Sequence, residues 1–242
     1  MTHSHHGVMS SGMNPHEPAT PVEPDNLFER TWRVPWHAHT VPGVLALILF
    51  VSWYLTPTDV ARSMALSWAG LELGRTSTIW LHMFAHGSFL HVLLNCAALL
   101  ALSGPLIARL GDPPLSWGRY AYLFFGSGLA GAGLFLALNH TAAMLGASGA
   151  IFGIFGALAR VHPHSGVLVP VKSRRTWLVA KSFVREHLIM FALLALIALL
   201  WGKSASIAWQ AHLGGLLFGI FAASFFLEKD ADATTGVAGD SP

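Results

Sequence analysis

The stretch "LGASGAIFGIFGAL", residues 145–158, decides how this chain folds. It is apolar, is interrupted by glycines at short intervals, and carries a single hydroxyl at Ser148. Such a pattern predicts a membrane helix whose small residues allow a neighbouring helix to approach closely. A polar side chain inside a bilayer costs free energy unless it is partnered, so Ser148 is either a packing residue or a functional one. Its role depends on what else lies at the same depth.

The composition predicts an all-α polytopic membrane protein. Of the 242 residues, 53% are hydrophobic and 11% are charged, whereas soluble domains carry about 25% charged residues. The formal net charge of +2 comes from few basic residues, which argues against a nucleic-acid partner. The single cysteine, Cys96, excludes an intrachain disulfide and a cysteine-rich zinc site.

Six stretches are apolar enough to cross a bilayer of about 30 Å. They lie at roughly 38–55, 86–108, 118–138, 145–161, 187–202 and 206–227. With an inside N-terminus, only Arg62, Arg75 and Lys203 of the 14 Lys and Arg would lie outside. This asymmetry predicts cytoplasmic termini.

The span pattern divides the chain into three parts. We expect one six-helix membrane domain at 38–228, a flexible cytoplasmic tail rich in His and Pro at 1–37, and a flexible C-terminal tail at 229–242. The tail histidines lack the regular spacing of metal ligands, so we expect no metal site. The loop at 56–85 is only half polar, which predicts that it embeds partly in the outer interface.

Polar residues of three different spans share one predicted depth. Ser148, His91 and His212 each lie roughly 5–9 Å below the outer face at 1.5 Å per residue, and Asn95 lies one turn deeper than His91 on the same helical face. These side chains can therefore converge in a pocket that is open to external water. Ser127, in the similar stretch "FGSGLAGAG", lies near the midplane, and we interpret it as a packing residue.

The residues at this level suit nucleophilic catalysis. A serine hydroxyl becomes a strong nucleophile when an adjacent base takes its proton, and His212 is the base at matching depth. No span contains Asp or Glu, so the sequence predicts a Ser148–His212 dyad whose imidazole is held by packing, with Phe152 as a candidate contact. His91, Asn95 and the backbone N–H of Ser148 are the candidate donors to an oxyanion.

Small residues predict how the two helices meet. They recur every four residues on the fourth and sixth spans, as Gly149 and Gly153 and as Ala211, Gly215 and Gly219. Facing stripes of this kind let two backbones approach closely. That approach would bring Ser148 to His212.

Three motifs in this order resemble the rhomboid family of intramembrane serine proteases. "GASG", with Gly146 and Ser148, is similar to the family's nucleophile motif, "HVLLN" to its oxyanion motif, and "AHLGG" to the motif of its catalytic histidine. His86 matches the histidine-rich start of the second helix. Two features depart from the family pattern: Phe152 stands where tyrosine is common, and the Trp-Arg signature of the outer loop is not recognisable in "GRTSTIW".

The resemblance implies a six-transmembrane-helix rhomboid-like bundle that cleaves transmembrane segments of single-span membrane proteins. It implies a bacterial-type inner or plasma membrane, a site that opens to the outer side, and no metal or organic cofactor. Substrate would arrive laterally from membrane lipid, with the second and fifth helices and the short loop around Lys203 as gates.

Two other functions are compatible with a membrane bundle of this kind. One is a catalytically silent rhomboid-like protein that binds membrane clients, which the presence of both dyad residues disfavours. The other is a transporter with histidines along its path. Such paths usually carry intramembrane carboxylates, and none is found in the predicted spans.

Overall fold

The computed structural model describes residues 33–201 and 207–227. The predictions for most of the N-terminal tail, for the C-terminal tail and for the loop around Lys203 therefore lie outside the described residues. The described part of the chain contains α-helices and short 3-10 turns and no strand. The helices are α1 Thr40–Leu55, α2 Thr58–Ser63, α3 Trp68–Glu72, α4 Thr78–Leu81, α5 Phe89–Ile107, α6 Leu115–Leu138, α7 Ser148–Ala159, α8 Arg174–Trp201 and α9 Trp209–Ala222.

Among the described residues, three helical stretches are long and apolar enough to cross a membrane. They are Trp36–Leu55, which joins a 3-10 turn to α1, Phe89–Ile107 and Leu115–Leu138. Helix α7 is apolar but has only 12 residues, a length of about 18 Å. The all-helical membrane class predicted from the sequence is confirmed for the described residues, and the count of six crossings stays a prediction.

Helix α8 is much longer than the fifth predicted span. It begins at Arg174 rather than near residue 187 and contains 28 residues, about 42 Å of helix. Residues 174–186, which lie between the fourth and fifth predicted spans, are therefore helical and not part of a loop. A span predicted from hydropathy stops where charged residues begin. Arg, Lys and Glu are nevertheless good helix formers, so the helix itself continues through them.

A stripe of small residues brings the backbones of α7 and α9 into contact. We call it the glycine seam; its members are Gly149, Gly153, Ala211, Gly215 and Gly219. A Cβ atom added to Gly215 would overlap the carbonyl of Gly149, and one added to Gly219 would overlap the carbonyl of Gly153. Helix α9 also meets α6, since a Cβ on Gly131 would lie 2.5 Å from the Ala211 carbonyl oxygen. Larger side chains at these positions would separate the helices.

Helix α7 begins at Ser148 and ends beside Arg160, and we name the two ends of the bundle the serine end and the arginine end. At the arginine end, Arg160 is only 3% exposed. Its Nε donates to the Val169 carbonyl at 2.6 Å and its Nη1 donates to the Ile220 carbonyl at 2.7 Å. The guanidinium thus ties α7 to the following loop and to α9.

The segment between α1 and α5 is anchored at the serine end by hydrogen bonds. Leu66 and Met144 exchange backbone hydrogen bonds of 2.8 and 2.9 Å, and Trp68 Nε1 donates to the Leu136 carbonyl at the end of α6 at 2.7 Å. Burial lowers the pKa of His82 in this segment, and its Nδ1 donates to the Thr78 carbonyl at 3.0 Å. The loop is therefore held without the family's Trp-Arg signature.

Candidate active site

A glycine turn sets the position of Ser148. Gly146 has a φ of 114°, a conformation that side chains with a Cβ rarely adopt, and its N–H donates to the His82 carbonyl at 2.7 Å. A Cβ at this position would lie 2.7 Å from the His91 ring and 3.7 Å from Asn95 Nδ2. Glycine therefore serves both the turn and the close approach of two polar side chains. The chain enters α7 two residues later, at Ser148.

Ser148 and His212 are in hydrogen-bond contact. Ser148 Oγ lies 2.8 Å from His212 Nε2. The serine is half-buried, and the histidine is 7% exposed. The Phe152 ring, one turn along α7, stacks on the imidazole with centroids 4.4 Å apart and an interplanar angle of 25°. A serine nucleophile must lie within hydrogen-bond distance of its base, must be accessible to substrate, and needs a base whose imidazole is held in place. Ser148 and His212 meet these three requirements.

His187 on α8 extends this contact into a chain of hydrogen bonds. Its Nε2 lies 2.9 Å from His212 Nδ1, and its Nδ1 lies 2.8 Å from the Phe183 carbonyl oxygen. The sequence does not point to this residue, because His187 is not a carboxylate and lies at the cytoplasmic end of the fifth predicted span. The usable signal was the spacing of four between Val179, Phe183 and His187, which are all buried on one face of α8.

The side chains proposed as oxyanion donors lie beside the same turn. Asn95 is 6% exposed, and within the described residues its Nδ2 has no hydrogen-bond partner. The rings of His91 and His86 meet edge to face with centroids 4.9 Å apart, and both His86 nitrogens also lack partners there. Unpaired buried donors cost free energy. An unpaired Asn95 donor beside the turn that carries Ser148 is typical of a site that is completed by a bound group.

The N-terminus of α7 adds backbone donors. The first N–H groups of a helix have no partner within it, and the helix dipole places partial positive charge there. Ser148 is the first residue of α7, so its own N–H belongs to this set. The structure thus brings the predicted nucleophile, base and donors to one end of the bundle.

Ser127 differs from Ser148 in its surroundings. It is fully buried in α6, its hydroxyl contacts the seam beside Gly153, and within the described residues its Oγ has no hydrogen-bond partner. In that part of the chain, no three His, Cys, Asp or Glu side chains are grouped as metal ligands.

A family model described as the Rhomboid domain matches residues 73–229. The matched region begins in the segment between α1 and α5 and extends past the end of α9. It includes Ser148, His212, His187, His91 and Asn95. No curated protein matches the chain significantly.

Proposed function

Because the chain belongs to the rhomboid family, we propose that it is an intramembrane serine endopeptidase that cleaves transmembrane segments of single-span membrane proteins. The family consists typically of serine proteases and also has inactive members. The observation that carries the proposal is the 2.8 Å contact between Ser148 Oγ and His212 Nε2. It supports an active enzyme over a silent client-binding relative.

Peptide cleavage follows from this contact. Ser148 Oγ attacks the peptide carbonyl carbon while His212 Nε2 takes the hydroxyl proton, which gives a tetrahedral intermediate and an imidazolium. The imidazolium then gives that proton to the leaving amine as the C–N bond breaks, leaving an ester on Ser148. Water then attacks the ester carbon while His212 takes a proton from it. The imidazolium returns this proton to Ser148 Oγ as the bond between Oγ and the acyl carbon breaks, and the second product leaves with a free carboxylate.

The charge that develops on the substrate oxygen needs fixed donors. Asn95 Nδ2, the His91 ring and the Ser148 N–H are the candidates, and each donor in such a set lowers the barrier by roughly 3 kcal/mol. Asn95 is the best prepared of these, because its buried Nδ2 has no other partner among the described residues. The proposal needs no metal or organic cofactor.

We propose that substrate reaches the site from lipid. The flanking helices expose large apolar side chains, such as Leu90 and Leu94 on α5 and Leu188 and Ile189 on α8. An intact substrate helix hides its carbonyls in its own hydrogen bonds, so helix-weakening residues near the cut should favour cleavage. In the proposed topology six helices cross the membrane, the termini are cytoplasmic and the site opens outward.

Cleavage of a labelled single-span substrate by the purified full-length chain in detergent tests the proposal. The wild type should release product, Ser148→Ala and His212→Ala should release none, and Ser127→Ala should match the wild type. Product that persists in purified Ser148→Ala would contradict the assigned nucleophile.

A covalent probe removes the dependence on the chosen substrate. A fluorophosphonate phosphonylates an activated serine with loss of fluoride, so it should label the wild type and Ser127→Ala but neither dyad variant. If the wild type neither reacts with the probe nor cleaves any of a panel of single-span substrates, the client-binding alternative would replace the protease.

A further inference from the structure

We propose that His187 is a positioning residue that fixes the orientation and the protonated nitrogen of His212. This inference rests on the proposed protease function and adds a group to it. His187 touches no reacting atom, and it acts through the 2.9 Å contact between its Nε2 and His212 Nδ1.

The Phe183 carbonyl, which ends this series of hydrogen bonds, determines which nitrogen of each histidine carries a proton. A carbonyl oxygen only accepts, so His187 Nδ1 must donate to the Phe183 oxygen. A neutral imidazole has one donor and one acceptor nitrogen, so His187 Nε2 accepts and His212 Nδ1 donates. His212 Nε2 is then an acceptor and receives the hydroxyl hydrogen of Ser148. These hydrogen bonds therefore hold His212 in the tautomer with an unprotonated Nε2, which a general base requires.

Packing keeps His187 in this geometry. The side chain is 5% exposed, and its ring lies between Phe183, with centroids 4.1 Å apart, and Phe152, with centroids 5.3 Å apart. The neighbouring carboxylate, Glu186, is 55% exposed and lies 3.6 Å from Arg185. The groups that contact His187 from α7 and α9 are thus an aromatic ring and the base itself.

The contact also matters after proton transfer. Once His212 becomes an imidazolium, its Nδ1–H donates to a neutral acceptor, and hydrogen bonds from charged donors are stronger than neutral ones. Leaving such a donor buried and unsatisfied is costly. A neutral histidine supplies the acceptor without placing a carboxylate in the membrane, where charge is expensive.

Three substitutions of His187 distinguish the effect of its hydrogen-bond acceptor from the effect of the space that its ring fills. His187→Gln keeps an oxygen that can reach His212, His187→Phe keeps a buried ring without an acceptor, and His187→Asn keeps an amide that is too short. We expect kcat to fall about 10- to 100-fold in the phenylalanine and asparagine variants, with KM unchanged, and the rate of fluorophosphonate labelling to fall in parallel. The glutamine variant should recover most of both rates.

Thermal unfolding in detergent, measured on every variant, separates loss of positioning from loss of fold. Wild-type rates in His187→Phe and His187→Asn, or equal losses in all three variants, would overturn the inference and leave the proposed function intact. If the phenylalanine variant does not fold, the comparison of asparagine with glutamine gives the answer alone. A wild type without cleavage or labelling would overturn the proposed function and, with it, this inference.

Discussion

Two buried polar side chains at opposite ends of α7, Arg160 and Asn95, differ in their hydrogen bonding. At the arginine end, Arg160 is 3% exposed and donates to two carbonyls. At the serine end, Asn95 is 6% exposed, yet within the described residues its Nδ2 has no partner. A fully bonded polar group stabilises a fold, whereas an unpaired donor costs stability. The difference indicates that Arg160 serves the fold, whereas the Asn95 amide is left free for a bound group.

Both ends depend on the glycine seam that joins α7 to α9, and Gly215→Ala should break it. The new Cβ would overlap the Gly149 carbonyl, and no rotamer change can relieve a clash with backbone. We expect a loss of about 3 kcal/mol or more in unfolding free energy and complete loss of substrate cleavage.

Gly133→Ala on α6 is the matched control for this substitution. A Cβ there would meet nothing within 4 Å, and alanine favours a helix by about 1 kcal/mol over glycine. Detergent unfolding and cleavage assays should therefore show an equal or slightly more stable, fully active protein. A stable and active Gly215→Ala would contradict the close contact.

Asn95→Ala should lower the rate of catalysis and leave the stability of the fold almost unchanged. Removing one oxyanion donor costs about 10²- to 10³-fold in kcat, while little stability is lost, because Nδ2 has no partner among the described residues. Single-turnover cleavage and thermal unfolding would measure the two effects separately.

Ser127→Ala removes another buried polar atom without a partner in the described part of the chain, but away from the site. Its kcat should equal that of the wild type. If Asn95→Ala also cleaves at the wild-type rate, Asn95 is not an oxyanion donor.

Arg160→Lys should affect stability alone and is the smallest of these effects. Lysine keeps the charge but cannot reproduce the two directed donors, so we expect a loss of about 2 kcal/mol in unfolding free energy. The kcat of the folded enzyme should not change. Arg185→Lys, at an arginine that is 70% exposed, should shift stability by less than about 0.5 kcal/mol. Reduced kcat in folded Arg160→Lys would show that the two ends are coupled.

Position along the predicted spans was enough to predict that Ser148 and His212 lie close together. The shared depth of Ser148 and His212 agrees with their 2.8 Å contact, and the spacing of small residues agrees with the seam. Both follow from helical rise and period, which depend only on local sequence.

His187 could not be predicted in this way, because its role depends on a tertiary neighbour. Arg185 and Glu186 end the apolar run in the sequence, although α8 continues through them from Arg174. Nor does the sequence indicate that the Trp68 indole reaches the Leu136 carbonyl, since the contact joins residues far apart in the chain.

The hydrogen bonds from Leu66 to Met144 and from Gly146 to His82 have a consequence for building chimaeras. They make the first loop and the turn before Ser148 one structural module, although about 80 residues separate Leu66 from Ser148 in the sequence. A loop transplanted alone from another family member would bring new partners for Met144 and Gly146 and displace the nucleophile. Transfer of residues 64–82 together with 142–148 should preserve the turn, so these two segments are the natural unit of exchange.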